Sequence, residues 1–393
     1  MNLLSTRVIV SLLILFGLAY LANSISGLEG GRSLAFSLLT GAAFGIVLQR
    51  SRFCFLCNFR DLVEQRDPKG VIAILVALAT GVVFYHIVMM AWVPVPILGR
   101  LPPNAHIGPV GPVLGLAAFV FGLGMAMSGS CLSAHIYRLG EGSPVSPFAL
   151  GGAAIGFLIG FMTWNPLYLA SVANSPSVWL PHSIGYPATI ALSLGVFAFL
   201  AVIALKLASA RHTAQSDFID LASAMKAVFV ERWPPITAGI LVALISAFAF
   251  LRIAPLGVTA ELGSIVRTAG TAAAVIPDTL LGLDTLRGCA TIIKNTVFSP
   301  NGLFVLGMVL ASFAAAFGAG QFQPKRPTLR DVIRGSMGGI LMGWGAMTGL
   351  GCTVGVLLSG VHAGALSGWV FLVFCSFGAW VGLFAMRRFS IAR

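Results

Sequence analysis

The sequence predicts an all-α polytopic membrane protein, and three observations carry that prediction. Of its 393 residues, 58% are hydrophobic and only 9% are charged, against about 25% charged in an ordinary soluble domain. Apolar stretches of membrane length, which takes about 20 residues, recur along the whole chain. Glycine is abundant at 46 residues, and in a bilayer it permits close helix contact and broken helices. So little charge cannot cover a water-exposed surface. That excludes a soluble enzyme, a disordered chain and a nucleic-acid-binding domain. The net charge of +12 reflects how few acids there are. Its basic residues read first as loop charges that fix orientation, and second as groups that attract an anionic solute.

The elements follow in order. Arg7–Ala22 has a basic start, an apolar core and small residues near Asn23, as a signal peptide does; an uncleaved first helix is the expectation. Further spans are expected near Ser33–Leu48, Val71–Trp92, Val110–Ser128, Pro147–Thr163, Ala188–Leu207, Ile236–Leu251, Gly302–Gly318, Ile333–Thr348 and Trp369–Met386. Gly257–Leu283 contains Glu261, Arg267 and Asp278, so it reads as a short or broken helix. Ala208–Pro235 is the only long polar stretch and reads as an interfacial linker. It divides the chain into a first membrane half (1–207), the linker (208–235) and a second half (236–393). Arg387, Arg388 and Arg393 crowd the C-terminus, and Lys325, Arg326, Arg330 and Arg334 crowd one loop. Asn165–Pro187 has no Lys or Arg. The positive-inside rule places the first two in the cytoplasm and the last outside.

The two halves repeat a pattern. Gly122-Leu123-Gly124 leads to Gly129-Ser130-Cys131 in the first, and Gly343-Trp344-Gly345 leads to Gly349-Leu350-Gly351-Cys352 in the second, with the glycine pair at the same distance from the cysteine. Upstream, each half has an Arg-x-Cys: Arg52-Phe53-Cys54 and Arg287-Gly288-Cys289. The segments that follow the cysteines are too short to span: Phe55–Glu64, Leu132–Leu139 stopped by Gly140, and Thr353–Ser359 stopped by Gly360. The pattern predicts discontinuous membrane helices, each with a cysteine at the start of its second half.

That position has a chemistry. The first N–H groups of a helix lack internal partners and carry partial positive charge, so a break in mid-membrane can hold an anion. Glycines such as Gly129 and Gly351 let a substrate approach the backbone. A thiol adds a weak donor on a soft atom, which suits a sulfur-containing anion better than sulfate. Arg52 and Arg287 either recruit that anion or anchor at the interface. Lys294 and Asn295 add polarity near Cys289, and His86 and His135 stand out among the histidines. A cysteine in an apolar helix is ordinarily a packing residue, the reading given to Cys375. Pairs such as Gly41/Gly45, Gly335/Gly339 and Gly378/Gly382 read as helix-packing faces. Cys54 and Cys57 form a CxxC, a redox or metal signal, without a mate in the second half. No nucleotide, HExxH or GxSxG motif is present, and no cofactor or metal is expected.

At these residues the chain resembles the YeeE/YedE family of bacterial sulfur-transport membrane proteins. Arg52-Phe53-Cys54 leading into Asn58-Phe59-Arg60-Asp61, and the two glycine-cysteine segments, carry the match over both halves. The first half has Gly129-Ser130-Cys131 where the family pattern is Gly-Gly-Cys. The resemblance implies pseudo-symmetric helical halves with short helices meeting at a waist, a bacterial inner-membrane location, and import of thiosulfate relayed along thiols. Residue by residue it implicates Cys54, Cys131 and Cys352, and less closely Cys289. A cytoplasmic sulfur-accepting protein is an implied partner. Two alternatives stand beside it: a thiol-disulfide oxidoreductase using Cys54 and Cys57 with a quinone, and transport of a selenium compound. A soft-metal transporter is a third, weakened by the lack of Met clusters and His-rich tracts.

Overall fold

The computed structural model describes residues 6–98, 100–208, 231–286, 291–294, 296 and 298–388. Arg287, Cys289, Asn295 and most of the expected linker lie outside the described residues.

The described chain is helical. In order, the helices are α1 (Thr6–Ser26), α2 (Gly31–Ser51), α3 (Phe55–Gln65), α4 (Lys69–Trp92), α5 (Pro112–Ser128), α6 (Leu132–Leu139), α7 (Ser146–Ala170), α8 (Leu180–Leu207), α9 (Pro235–Arg252), α10 (Val258–Ala272), α11 (Pro300–Gly318), α12 (Leu329–Thr348) and α13 (Leu366–Arg388). A π-helical segment, Thr353–Ser359, runs into a last turn at Gly360–His362. Among the described residues nine helices are long and apolar enough to cross a membrane. A tenth span results if α12 and the segment after it, bent by 45°, count as one. Large apolar side chains such as Phe16, Phe199 and Val373 are exposed, as a lipid-facing wall requires. The region around Glu261 is the expected short helix, α10.

Glycine sets the packing. A Cβ on Gly41 or Gly45 of α2 would overlap the backbone of Phe304 or Met308 on α11. Gly339 and Gly343 of α12 meet Ala149 and Ala153 of α7 in the same way, and Gly378 of α13 meets Phe119 of α5. Backbones this close gain dispersion contact that larger residues would prevent. The two Gly-x-Gly pairs each divide between two neighbours. Gly122 faces Cys375 on α13 and Gly124 faces Gly338 on α12; Gly343 faces α7 and Gly345 faces Ala117 on α5. Thus α5 and α12, the helices that lead to Cys131 and Cys352, cross in backbone contact at the centre of the bundle.

One end of the molecule gathers the basic loops. There Arg387 pairs with Glu64 at 3.0 Å, the Trp233 N–H donates to the Arg50 carbonyl, and the Gln323 N–H to the Glu141 carbonyl. At the opposite end single bridges join Pro109 to Ser177 and Trp179 to Ala365. Two ion pairs fix α10. Arg267 meets Asp284 at 2.7 Å. Lys294 pairs with Glu261, their side chains 9% and 6% exposed, and donates to Ser299 Oγ, the N-cap of α11.

Candidate functional site

The three cysteines singled out in the sequence occupy one structural position, the residue that caps the N-terminus of a short second helix. Cys54 caps α3 and Cys131 caps α6, both with extended backbone. Cys352 caps the π-helical segment. Each carbonyl accepts the first helical bond, from Asn58, His135 and Val356 respectively. All three side chains are buried. The breaks that precede them need unusual backbone. Gly129 closes α5 at φ +86°, and Leu350 and Gly351 stand at +60° and +146°; only glycine adopts the last without strain.

The first-half cysteines meet. Cys54 Sγ donates to Cys131 Sγ at 3.7 Å. The backbone N–H groups of Ala134 and Phe55 also face the Cys131 sulfur. The N-termini of α3 and α6 therefore converge on one thiol, with their partial positive charge. Cys57, one turn into α3, accepts from Arg138 Nη2 at 3.4 Å. Arg138 Nη1 donates to Ser130 Oγ, so the serine that departs from the Gly-Gly-Cys pattern serves as its acceptor. Cys352 stands at the second-half break, where its sulfur accepts the Val354 N–H at 3.4 Å.

A narrow cavity joins the two halves. Cys131 and Ser133 line one side of it, Thr353 and Val354 the other, and Phe53 and Phe55 contribute aromatic walls. A second, smaller space of about 10 Å³ touches Leu350 of this break and is lined also by His106, Ser175, Thr348 and Ser367. His106 Nε2 donates to the Leu350 carbonyl at 3.1 Å, bracing the break from the loop before α5. Aromatic and aliphatic walls with few polar groups, placed at helix breaks, let a partly dehydrated anion meet directed donors rather than free charge.

The other sequence candidates fall elsewhere. Arg52 is exposed at the basic end and closes α2 in the left-handed region. Cys375 is buried in mid-helix on α13, where its carbonyl packs on Gly122. His86 is held by the Val82 carbonyl at 2.7 Å and lies edge-on to Tyr186. His135 meets Ser146 Oγ at 3.2 Å. Both are tied into packing. Lys294 serves the Glu261 pair. All five described cysteines are free, and among the described residues no three His, Cys, Asp or Glu side chains form a metal-binding set. The sequence reading missed Arg138 and the place of Cys57 beside it. The available signal was spacing: Arg138 follows Cys131 by seven residues, two helical turns along one face.

Comparison with known proteins places the chain among transporters. A thiosulfate transporter, TsuA, of Spirochaeta thermophila is 30% identical over 364 residues, 89% of this chain and 98% of its own length. TsuA of Escherichia coli is 27% identical over 360 residues, 87% of this chain and 92% of its own. A probable transporter of E. coli, YedE, is 31% identical over a shorter stretch of 83 residues, 21% of each chain. The relatives are transporters, not enzymes. The family model for sulphur transport matches residues 50–381, a range that takes in all three capping cysteines; the chain belongs to the sulphur transport family.

Proposed function

We propose that this chain imports thiosulfate across a bacterial inner membrane by passing it along buried thiols. The observation that carries the reading is the common placement of Cys54, Cys131 and Cys352 at half-helix N-termini, two of them 3.7 Å apart. The near full-length likeness to proteins named as thiosulfate transporters supports the substrate.

The anion enters from the end with few charges, through the space beside His106 and Thr348. It passes the Leu350–Cys352 break, where the thiol of Cys352 donates an S–H hydrogen bond to its terminal sulfur. From there it crosses the narrow cavity to Cys131, which stands under the N-termini of α3 and α6. Cys54, in contact with Cys131, donates the next hydrogen bond. Arg138, beside Cys57 and Ser130, then draws the anion toward the cytoplasmic end, where a sulfur-accepting protein removes it. No bond is made or broken; each thiol keeps its proton and exchanges one acceptor for another. A soft sulfur terminus matches a soft donor, and dipoles in a water-poor path stabilise charge without the cost of unpaired buried ions. The two helix–glycine–cysteine units act as pseudo-symmetric halves meeting at this waist. Arg287 and Cys289 are assigned to the same path on sequence grounds.

The test is rescue. A bacterium stripped of its own sulfate and thiosulfate uptake, expressing this chain, should grow on thiosulfate as sole sulfur source and accumulate sulfur-labelled thiosulfate. Growth on sulfate alone, or no uptake from a correctly inserted protein, contradicts the reading.

A further inference from the structure

We propose that a crevice between α1, α2 and α11 binds one anionic phospholipid of the cytoplasmic leaflet, with Arg50 as the group that selects its charge. The proposal rests on the orientation adopted above, with the basic end in the cytoplasm, and not on the substrate.

Two features of the crevice ask for opposite things. Its walls are mostly hydrocarbon: Val8, Leu12 and Leu15 of α1, Ile46 of α2 and Ala315 of α11 border about 190 Å³, and the Ser11 hydroxyl among them is directed to the Arg7 and Ala314 carbonyls. Apolar surface of this kind favours a hydrocarbon occupant over water. Yet Arg50 also lines it, at 2% exposure. Its Nη2 donates to the Glu231 carbonyl, while Nε and Nη1 have no hydrogen-bond partner among the described residues. Among the described residues no salt bridge reaches it. Arg232 lies close enough to act on it by charge, and Arg52 and Glu141 act in turn on Arg232. A buried guanidinium without an anion is costly. The occupant must therefore bring hydrocarbon and negative charge together, at the depth where a helix meets the basic face. An anionic phospholipid does both: an acyl chain along α1 and α11, and a phosphate or glycerol headgroup at Arg50. Trp233, which borders the crevice, supplies the aromatic belt residue common at headgroup level. A zwitterionic lipid fits the walls but leaves the arginine uncompensated, and a free phosphate does the reverse. Arg50 stands four residues before Cys54, so the bound headgroup would steady the α2–α3 break.

The experiment uses the full-length chain purified in detergent and measures bound lipid by mass spectrometry and the thermal unfolding midpoint. The probes are phosphatidylglycerol, phosphatidylcholine with the same acyl chains, and inorganic phosphate. One cation at a charged surface is worth about 1 kcal/mol. The expected result is about a fivefold preference for phosphatidylglycerol, a higher midpoint with it than with phosphatidylcholine, and no effect of phosphate. Arg50→Gln should erase the preference, and Ala315→Trp, which fills the crevice and keeps the arginine, should displace the lipid. Equal binding of both lipids marks an unselective annular layer and overturns the proposal. An equal shift with phosphate overturns it in favour of a small-anion site. Should Arg50→Gln fail to fold, Ala315→Trp decides, since undiminished preference there also overturns it. None of these readouts depends on uptake.

Discussion

Arg138 is the only guanidinium hydrogen-bonded to a thiol in the described site, and its charge sits where the relay should deliver an anion. Arg138→Gln should raise the thiosulfate concentration for half-maximal uptake by about ten- to a hundredfold, the worth of one charge-assisted hydrogen bond at about 1.5–3 kcal/mol. Arg138→Lys should recover part of that loss. Uptake kinetics unchanged in the glutamine variant would make Arg138 a strut for Cys57 and Ser130. Arg52 is a different case. It is exposed and adopts φ +51°, so Arg52→Gly removes the charge without disturbing the backbone. Uptake should fall at low substrate concentration and low salt only, because an exposed charge acts over about 10 Å and is screened. Equal uptake of variant and parent under those conditions assigns Arg52 to anchoring.

At the scale of elements, the breaks were the most legible feature. Glycines, a cysteine and then a segment too short to span located α6 at Leu132–Leu139 and the π-helical segment at Thr353–Ser359, and placed the end of α3 within a residue. Local chemistry marks such stops because Gly129 and Gly351 need backbone that other residues avoid. The π geometry carried no such mark. Nor did the contact between Cys54 and Cys131, which depends on how α2 packs against α6, with the two thiols 77 residues apart in the chain. The sequence shows Cys54 and Cys57 as a CxxC without a mate in the second half, and gives no sign that Arg138 stands against Cys57. Gly351→Ala should cost about 1–3 kcal/mol and abolish uptake while the protein still inserts, as judged by membrane expression and melting; full uptake would show that the break tolerates a side chain. The Glu261–Lys294 pair offers a stability test of the same size of element. Glu261→Ala leaves a buried ammonium unpaired and should destabilise the protein by about 3–5 kcal/mol, seen as a lowered melting midpoint.

Across the whole molecule, composition announced the membrane class, and apolar stretches along the chain gave the order of spans, because hydropathy is a property of long segments. How the spans associate was legible only as small-residue spacing, which the structure turns into named backbone contacts. Gly343→Leu should drive α12 off α7 and prevent assembly, whereas Gly151→Leu on α7 should be tolerated, because a Cβ there meets nothing within 4 Å. Size-exclusion profiles of the two variants separate packing from mere hydrophobicity. The Gly124–Gly338 and Gly345–Ala117 contacts hold the helices that lead to Cys131 and Cys352 against each other, and the account of transport stands on that arrangement. Its most direct test is uptake of labelled thiosulfate into vesicles carrying Cys131→Ala, Cys352→Ala or Cys375→Ala at matched protein levels. The relay predicts that the first two lose nearly all uptake while the third, buried in mid-helix, keeps it; full uptake with both Cys131 and Cys352 replaced would contradict it.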